Sequence, residues 1–429
     1  MTDTEGLPLD ESCITAPVPV VPRPQERGDS AALPSGPLAA LGQPPFRWWF
    51  IGQVMSASGL MTQMVATSWL VLQITGSGLA LALLSGIALL PVMVLGLWAG
   101  SVIDHRETRT VLLVTQSVFT ALSLLLFALI EAGGVRYWEI LVISAATGLV
   151  NAFDMPARQI YVQELVGPDL LAGAVSLYEV ILNLSRIFGP ALGGALLAAS
   201  GPAACILVNG LSFLAPLAVL VRFRPSVAAA GVKHHHERPK ALEGLRYAWK
   251  RPALRACLVL AAGSSVIFNF AVLLPLIAQR VFHMGGGGYG ALMASFGIGA
   301  LPGALLAARA GRQPTGQQVR VLATLSGVGL CLIGLAPDLV VLYAAMAFVG
   351  MCSIWMIAAA NTLVQLRTGP QLRGRVMGAW SMALPGMVPI TSLASGALAD
   401  LAGARVAYAA AGAMIAAIGL GLWRSFAAD

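Results

Sequence analysis

Glu179, Asn183 and Arg186 fall at helical spacing in a run that is otherwise almost wholly apolar. With Ser176 and Pro190 they share one helix face. An acid and a base on such a face suit one chemistry above others, the uptake and release of a proton. Burial favours the neutral carboxyl and a neighbouring guanidinium favours the charged one, so a Glu179 poised between them can exchange protons. A structural Glu–Arg ion pair is the plainer use of the same residues. A second pair, Asp154 and Arg158, stands four residues apart in NAFDMPARQ (151–159), again between apolar runs. At i and i+4 the two meet on one face of a helix. Pro156 between them loosens that helix by removing its bond to residue 152.

What must position these residues is a membrane. The chain of 429 residues is 57% hydrophobic and only 10% charged, with a mean hydropathy of +0.80. A soluble domain carries about 25% charged residues. The apolar runs are continuous and about 20 residues or longer, as spanning helices need; barrel strands would alternate. Twelve spans are predicted, at 47–74, 79–103, 110–131, 137–160, 170–198, 202–223, 253–280, 287–310, 317–336, 338–364, 373–400 and 404–424. Residues 1–43 are rich in Pro, Ser, Gly and acids, and read as a disordered cytoplasmic tail. Residues 44–223 then form a first six-helix half, 224–251 a polar cytoplasmic linker and 252–429 a second half. The run His234–His236 in the linker reads as solvated rather than metal-binding. The five cysteines are scattered and read as apolar packing residues.

The formal charge of +7 follows the positive-inside rule rather than marking a nucleic-acid binder. Arg47, Arg106, Arg109, the linker cluster, Arg309, Arg312, Arg320, Arg367, Arg373 and Arg375 fall on one side; only Arg136, Arg280 and Arg405 fall on the other. Both termini are therefore expected in the cytoplasm. On that topology Glu179 lies roughly 15 Å into its span, near the midplane, where a charge costs about 2.5–3.5 kcal/mol. Asp154 and Arg158 lie roughly 26–32 Å along theirs, near the cytoplasmic face. There Asp154 is expected to meet Arg106 or Arg109 and form a gate, or else to make a plain helix-end ion pair with Arg158.

The halves repeat weakly: VQELVGPDLLAGA from 162 aligns without gaps to VQLRTGPQLRGRV from 364. Internally repeated halves mark secondary transporters. GSVIDHRETR (100–109) resembles the cytoplasmic signature of the major facilitator superfamily, with Gly100, Asp104, Arg106 and Arg109 in place, but His105 and Thr108 where bases are usual. Its second-half counterpart, GALLAARAGR (303–312), lacks the acid. RIFGPALGG (186–194) resembles the superfamily's antiporter motif through Gly189, Pro190, Gly193 and Gly194. With NAFDMPARQ, RGRVMG (373–378) and the run from Leu274 to Arg309, nearly the whole chain from about residue 45 to 424 resembles the transmembrane secretion effector branch.

That resemblance implies an all-α integral membrane protein, with twelve transmembrane helices in two pseudo-symmetric six-helix halves. It implies alternating access and efflux across a bacterial inner membrane, without fixing the substrate. The leading reading is export of a small amphipathic molecule, of the drug or siderophore class, by proton antiport. Uptake or facilitated diffusion by the same fold, or a non-transporting membrane sensor, are the alternatives. By the same resemblance spans one, four, seven and ten line the cavity. Gln53, Ser56, Gln63, Asn269, Ser353 and Trp355, with Asn183 of span five, are then cavity candidates, although polar residues also tie spanning helices together. Glu179 and Arg186 are the proton-coupling candidates, and Asp104, Arg106, Arg109, Asp154 and Arg158 the gate around Gly100. The expected partners are a small-molecule substrate, protons and the lipid bilayer, with no nucleic acid, for a monomer without cofactor or metal. An enzyme is not expected: there is no P-loop, H-E-x-x-H or G-x-S-x-G. Glu179→Gln should abolish proton-driven export while the protein still reaches the membrane; unchanged export would remove Glu179 from the mechanism.

Overall fold

The computed structural model describes residues 38–103, 106–167, 170–224, 241–309 and 314–422. Among them there is helix and no strand. The first group of helices is α1 (Pro44–Thr75), α2 (Gly78–Ile103), α3 (Thr108–Glu131), α4 (Tyr137–Val166), α5 (Leu171–Ser212) and α6 (Leu214–Arg222). α7 (Ala241–Trp249) follows, in the stretch where the sequence predicts an amphipathic end to the linker, and packs on α13. The second group is α8 (Pro252–Gly263), α9 (Leu273–Arg280), α10 (Gly286–Arg309), α11 (Gly316–Leu335), α12 (Leu339–Arg367), α13 (Pro370–Ala402) and α14 (Ala404–Gly421).

Local chemistry sets the ends. Pro44 and Pro370 open α1 and α13 in the first turn, where no donor is lost. Asp338 accepts from the Val341 N–H at 2.9 Å to cap α12. Gly76 closes α1 with φ 63°. Gly201 is the sharpest case: φ 78°, ψ −176°, a conformation side-chain-bearing residues avoid, compresses an expected inter-span turn into one kink within α5.

Nine stretches among the described residues are helical, long and apolar enough to cross a membrane. The run from Gly173 to Arg222 counts as one of them and carries both the fifth and sixth predicted spans, bent at Gly201. α1 is long enough but too polar to qualify, since it buries Gln53, Ser56, Thr62, Thr67 and Ser68. The seventh predicted span is not one continuous helix. α8 ends at Gly263, a 3-10 turn covers Ser264–Val266, and regular helix resumes at Leu273. The reason is local. Ser264 turns its hydroxyl back to the Ala261 carbonyl at 2.8 Å, and Pro275 is tolerated because it falls in the first turn of the new helix. Such irregular backbone survives at membrane depth only when wrapped in protein, and Ser264, Ser265, Val266 and Asn269 are all buried.

The two groups of helices meet along two seams, α5 against α10 and α2 against α13. The bundle has two ends: one carries the linker, and the other, the far end, carries the turns at Gly76, Gly133 and Gly403. Towards the far end one hydrophobic core joins both groups, running from Val71 and Leu81 through Leu197 to Leu276 and Tyr289, with Trp69 stacked on Tyr289. At the linker end the first group keeps a separate core of its own around Trp49, Leu112, Tyr161 and Leu220. The α2–α13 seam widens the same way. A Cβ on Gly78 would lie 2.9 Å from the Gly396 carbonyl oxygen, whereas one on Gly86 reaches only Pro389 Cβ at 3.8 Å, and Gly374 and Gly378 face open space. On α5–α10, a Cβ on Gly194 would lie 2.9 Å from Gly290 Cα. Gly290→Val should therefore cost about 1–3 kcal/mol by overpacking, read as a lower melting temperature in detergent; an unchanged melt would mean the seam is looser than this.

Candidate functional site

The deepest charge among the described residues is Asp154, with no exposed surface. α4 presents it to α3. Its Oδ1 accepts from the Thr115 hydroxyl at 2.7 Å and from the Gln116 amide at 2.8 Å. Its Oδ2 pairs with the Arg158 guanidinium one turn along. Arg158 also donates through Nη1 to Gln53 Oε1 on α1 at 2.6 Å. The network thus ties α1, α3 and α4 together: Oδ1 takes two hydrogen bonds, while Oδ2 has the Arg158 ion pair alone.

This corrects the expectation that Asp154 meets Arg106 or Arg109. Arg109 sends Nε to the Leu220 carbonyl at 2.7 Å, where it satisfies the last turn of α6. Arg106 is exposed on the rim of a 610 Å³ groove between α3 and α4, whose wall is Val114, Val118, Leu149 and Phe153. Of the other gate residues, Gly100 lies near the end of α2 and Asp104 is outside the described residues, as is the His234–His236 run. The side chains of Glu179 and Asn183 on α5 are outside them too, while Arg186 is half-buried on that helix.

The glycines of the antiporter-like motif do identifiable work. Gly189 and Gly193 bring α5 against α1, and Thr62 donates to the Gly189 carbonyl at 2.9 Å. Gly194 brings α5 against α10. Pro190 has no N–H, so the carbonyl of Arg186 loses its helical donor. That carbonyl lies 2.7 Å from where a Gly297 Cβ would stand, so the bare face of α10 makes room for it.

The cavity candidates divide. Gln63 accepts from Ser123 at 3.1 Å and from Asn209 at 2.6 Å, a knot inside the first group. Ser353 bonds back to its own helix at Val349. Asn269, in the broken stretch between α8 and α9, accepts from Ser392 at 3.0 Å, while Ser265 bonds Thr391 at 3.1 Å. The Gln53 and Asn269 amide nitrogens, the Trp355 indole nitrogen and the Ser56 hydroxyl have no partner among the described residues. These four keep hydrogen-bonding capacity to spare. Sequence reasoning missed Thr115 and Gln116, whose role depends on α3 facing α4. It also missed the pairing of Arg280 with Asp400 at 2.9 Å, which joins segments 120 residues apart.

Asp154→Ala would strand Arg158, Thr115 and Gln116, and removing one member of a buried pair costs roughly 3–5 kcal/mol. The double variant Asp154→Leu with Arg158→Met should recover most of that loss in thermal melts. A double variant no more stable than the single one would show that the pair is not what the site depends on.

Comparison with known proteins bears on the whole chain. The family model described as transmembrane secretion effector matches residues 35–426. The multidrug efflux pump Tap of Mycobacterium tuberculosis is 30% identical over 388 residues, covering 86% of this chain and 90% of that protein. The enterobactin exporter EntS of Shigella boydii is 25% identical, covering 79% and 81%. The solved structure of the nucleoside transporter NupG superposes with a TM-score of 0.67 at 10% identity, covering 89% of this chain and 99% of that one, a likeness of fold alone. This chain is a multi-pass membrane protein with the major facilitator fold, and it belongs to the transmembrane secretion effector family.

Proposed function

We propose that this protein is a secondary active exporter that moves a small amphipathic molecule out of a bacterial cell in exchange for protons. The observation that carries the reading is the asymmetry of the bundle: one core joins the two groups at the far end, and at the linker end the first group keeps a separate core of its own. A site between two such groups opens to one side only, which is the geometry alternating access requires. The excess of Arg at the linker end supports a cytoplasmic position for that end. The molecule is then open inward, ready to take up cargo from the cell. Membership of a family with a multidrug efflux pump and an enterobactin exporter supports outward transport.

The interior fits an amphipathic cargo. Most buried side chains are apolar, and Gln53, Ser56, Asn269 and Trp355 would supply the spare polar atoms of a lining. Such a lining binds by apolar burial and orients by a handful of hydrogen bonds. For protons, Glu179 is the acid nearest the midplane in the sequence, and Arg186 lies on the same helix two turns away. Asp154 is already paired with Arg158 and bonded to Thr115 and Gln116, and serves to hold α1, α3 and α4 in place. The division at the linker into two six-helix halves is the frame on which the exchange turns.

The test is export itself. Cells expressing the gene should accumulate less of at least one compound from a panel of fluorescent amphipathic dyes and iron chelators than cells without it. An uncoupler should erase the difference. Reduced accumulation that persists in the uncoupler would overturn antiport, and higher accumulation would establish uptake.

A further inference from the structure

Four N–H groups at the start of any helix lack partners within it. At the start of α2 all four are satisfied, but two of them from the other group of helices. The Ala80 N–H bonds Ser77 Oγ at 3.3 Å and the Leu81 N–H bonds the Ser77 carbonyl at 3.4 Å. The Gly78 and Leu79 N–H groups instead bond Asp400, in the last turn of α13, at 2.8 and 2.9 Å. The Ser77 hydroxyl donates to the same carboxylate at 2.9 Å. Asp400 thus acts as a helix cap donated by a segment more than three hundred residues away, and its charge sits at the positive end of α2.

Arg280 completes the cluster. From the end of α9 its Nη2 pairs with Asp400 Oδ1 at 2.9 Å and also reaches the Gly76 carbonyl at the end of α1. Its Nη1 lies 3.4 Å from the Ala399 carbonyl. One guanidinium therefore sits against the negative ends of two helices, one in each group, and against the carboxylate that bridges the groups. Directly beneath, the α2 and α13 backbones are in contact at Gly78 and Gly396, the tightest point of a seam that widens away from it.

We propose that Asp400, Arg280 and the start of α2 form the latch of the outer gate, a set of cross-group bonds that holds the far end shut and must break for cargo to leave. The residues are suited to reversible use. The side chains of Arg280 and Asp400 are 35% and 27% exposed, so water can take over each bond as it breaks, and the net cost of parting is modest. Ser77 stays behind to serve two of the four α2 donors. The inference rests on the reading above only in naming the far end as the outer one.

The test is accessibility rather than transport, so it needs no known cargo. In the full-length protein with its native cysteines replaced by alanine, Ala82→Cys places a thiol on α2 against Gly396, behind the latch. Reconstituted in vesicles, it is treated with a membrane-impermeant maleimide from each face separately. Asp400→Asn and Arg280→Gln should each raise labelling from the outer face by about tenfold, within the range of ordinary coupling between states. Ser77→Ala, a surface change that leaves the fold intact, should give a smaller rise of the same sign. Labelling equal to the parent in all three variants would overturn the latch, and so would an equal rise from both faces, which reports loosening of the whole bundle. A rise confined to the cytoplasmic face would uphold the latch and overturn the assigned orientation, which separates the two readings.

Discussion

The closeness of backbone to backbone at the two seams is the constraint on which the rest of this structure depends. Helices with ordinary side chains stand 8–10 Å apart; here Gly78 and Gly396 on one seam, and Gly194 and Gly290 on the other, remove the side chains between them. Within lipid no hydrophobic force drives helices together, so close van der Waals contact must do it. On the α2–α13 seam the contact is closest at the far end, and on the α5–α10 seam it runs from there to mid-helix, where Gly297 meets the Arg186 carbonyl. From that follow the shared core at the far end and the first group's separate core near the linker.

Polar residues divide into those that hold helices and those left over. The larger share holds helices. Asp154 and Arg158 fasten α4 to α1 and α3, Gln63 and Asn209 fasten α1 to α5 through Ser123, and Asn269 and Ser265 fasten the broken stretch to α13. A charge in the membrane is tolerable where it is paired, and Asp154 has the Arg158 guanidinium on one oxygen and two hydrogen-bond donors on the other. This is why it reads as a fixed strut, although its sequence setting first suggests a gate.

Much of the helical architecture was legible in the sequence, because apolar length is a strong local signal. α2, α3, α11 and α14 start and stop within a few residues of the predicted spans. The close i, i+4 pairing of Asp154 with Arg158 was legible too, being a property of one helix. What was not legible is whatever depends on which helices are neighbours. Arg109 pairs with the Leu220 carbonyl rather than an acid because α6 ends beside it, and nothing in the local sequence says so. Arg280 counts in the sequence only as a stray outer charge; its partners come from α1 and α13, brought together by the fold. The break after Gly263 was hidden for a different reason, since an apolar stretch with two serines reads the same whether its backbone is helical or unwound.

α10 carries bare backbone on more than one face. Gly290 and Gly297 lie against α5, while Gly299 and Gly303 are so close to α12 that a side chain on either would run into the backbone at Ala347 and Met351. A helix surfaced in this way has few knobs to lift out of holes, so tilting it against a neighbour demands few rotamer changes. In mechanical terms α10 is a bearing rather than a gear: it carries load between its neighbours and offers little friction to their rotation. The resistance to motion is then concentrated in the discrete polar ties elsewhere, so a few bonds can set the pace for the whole bundle.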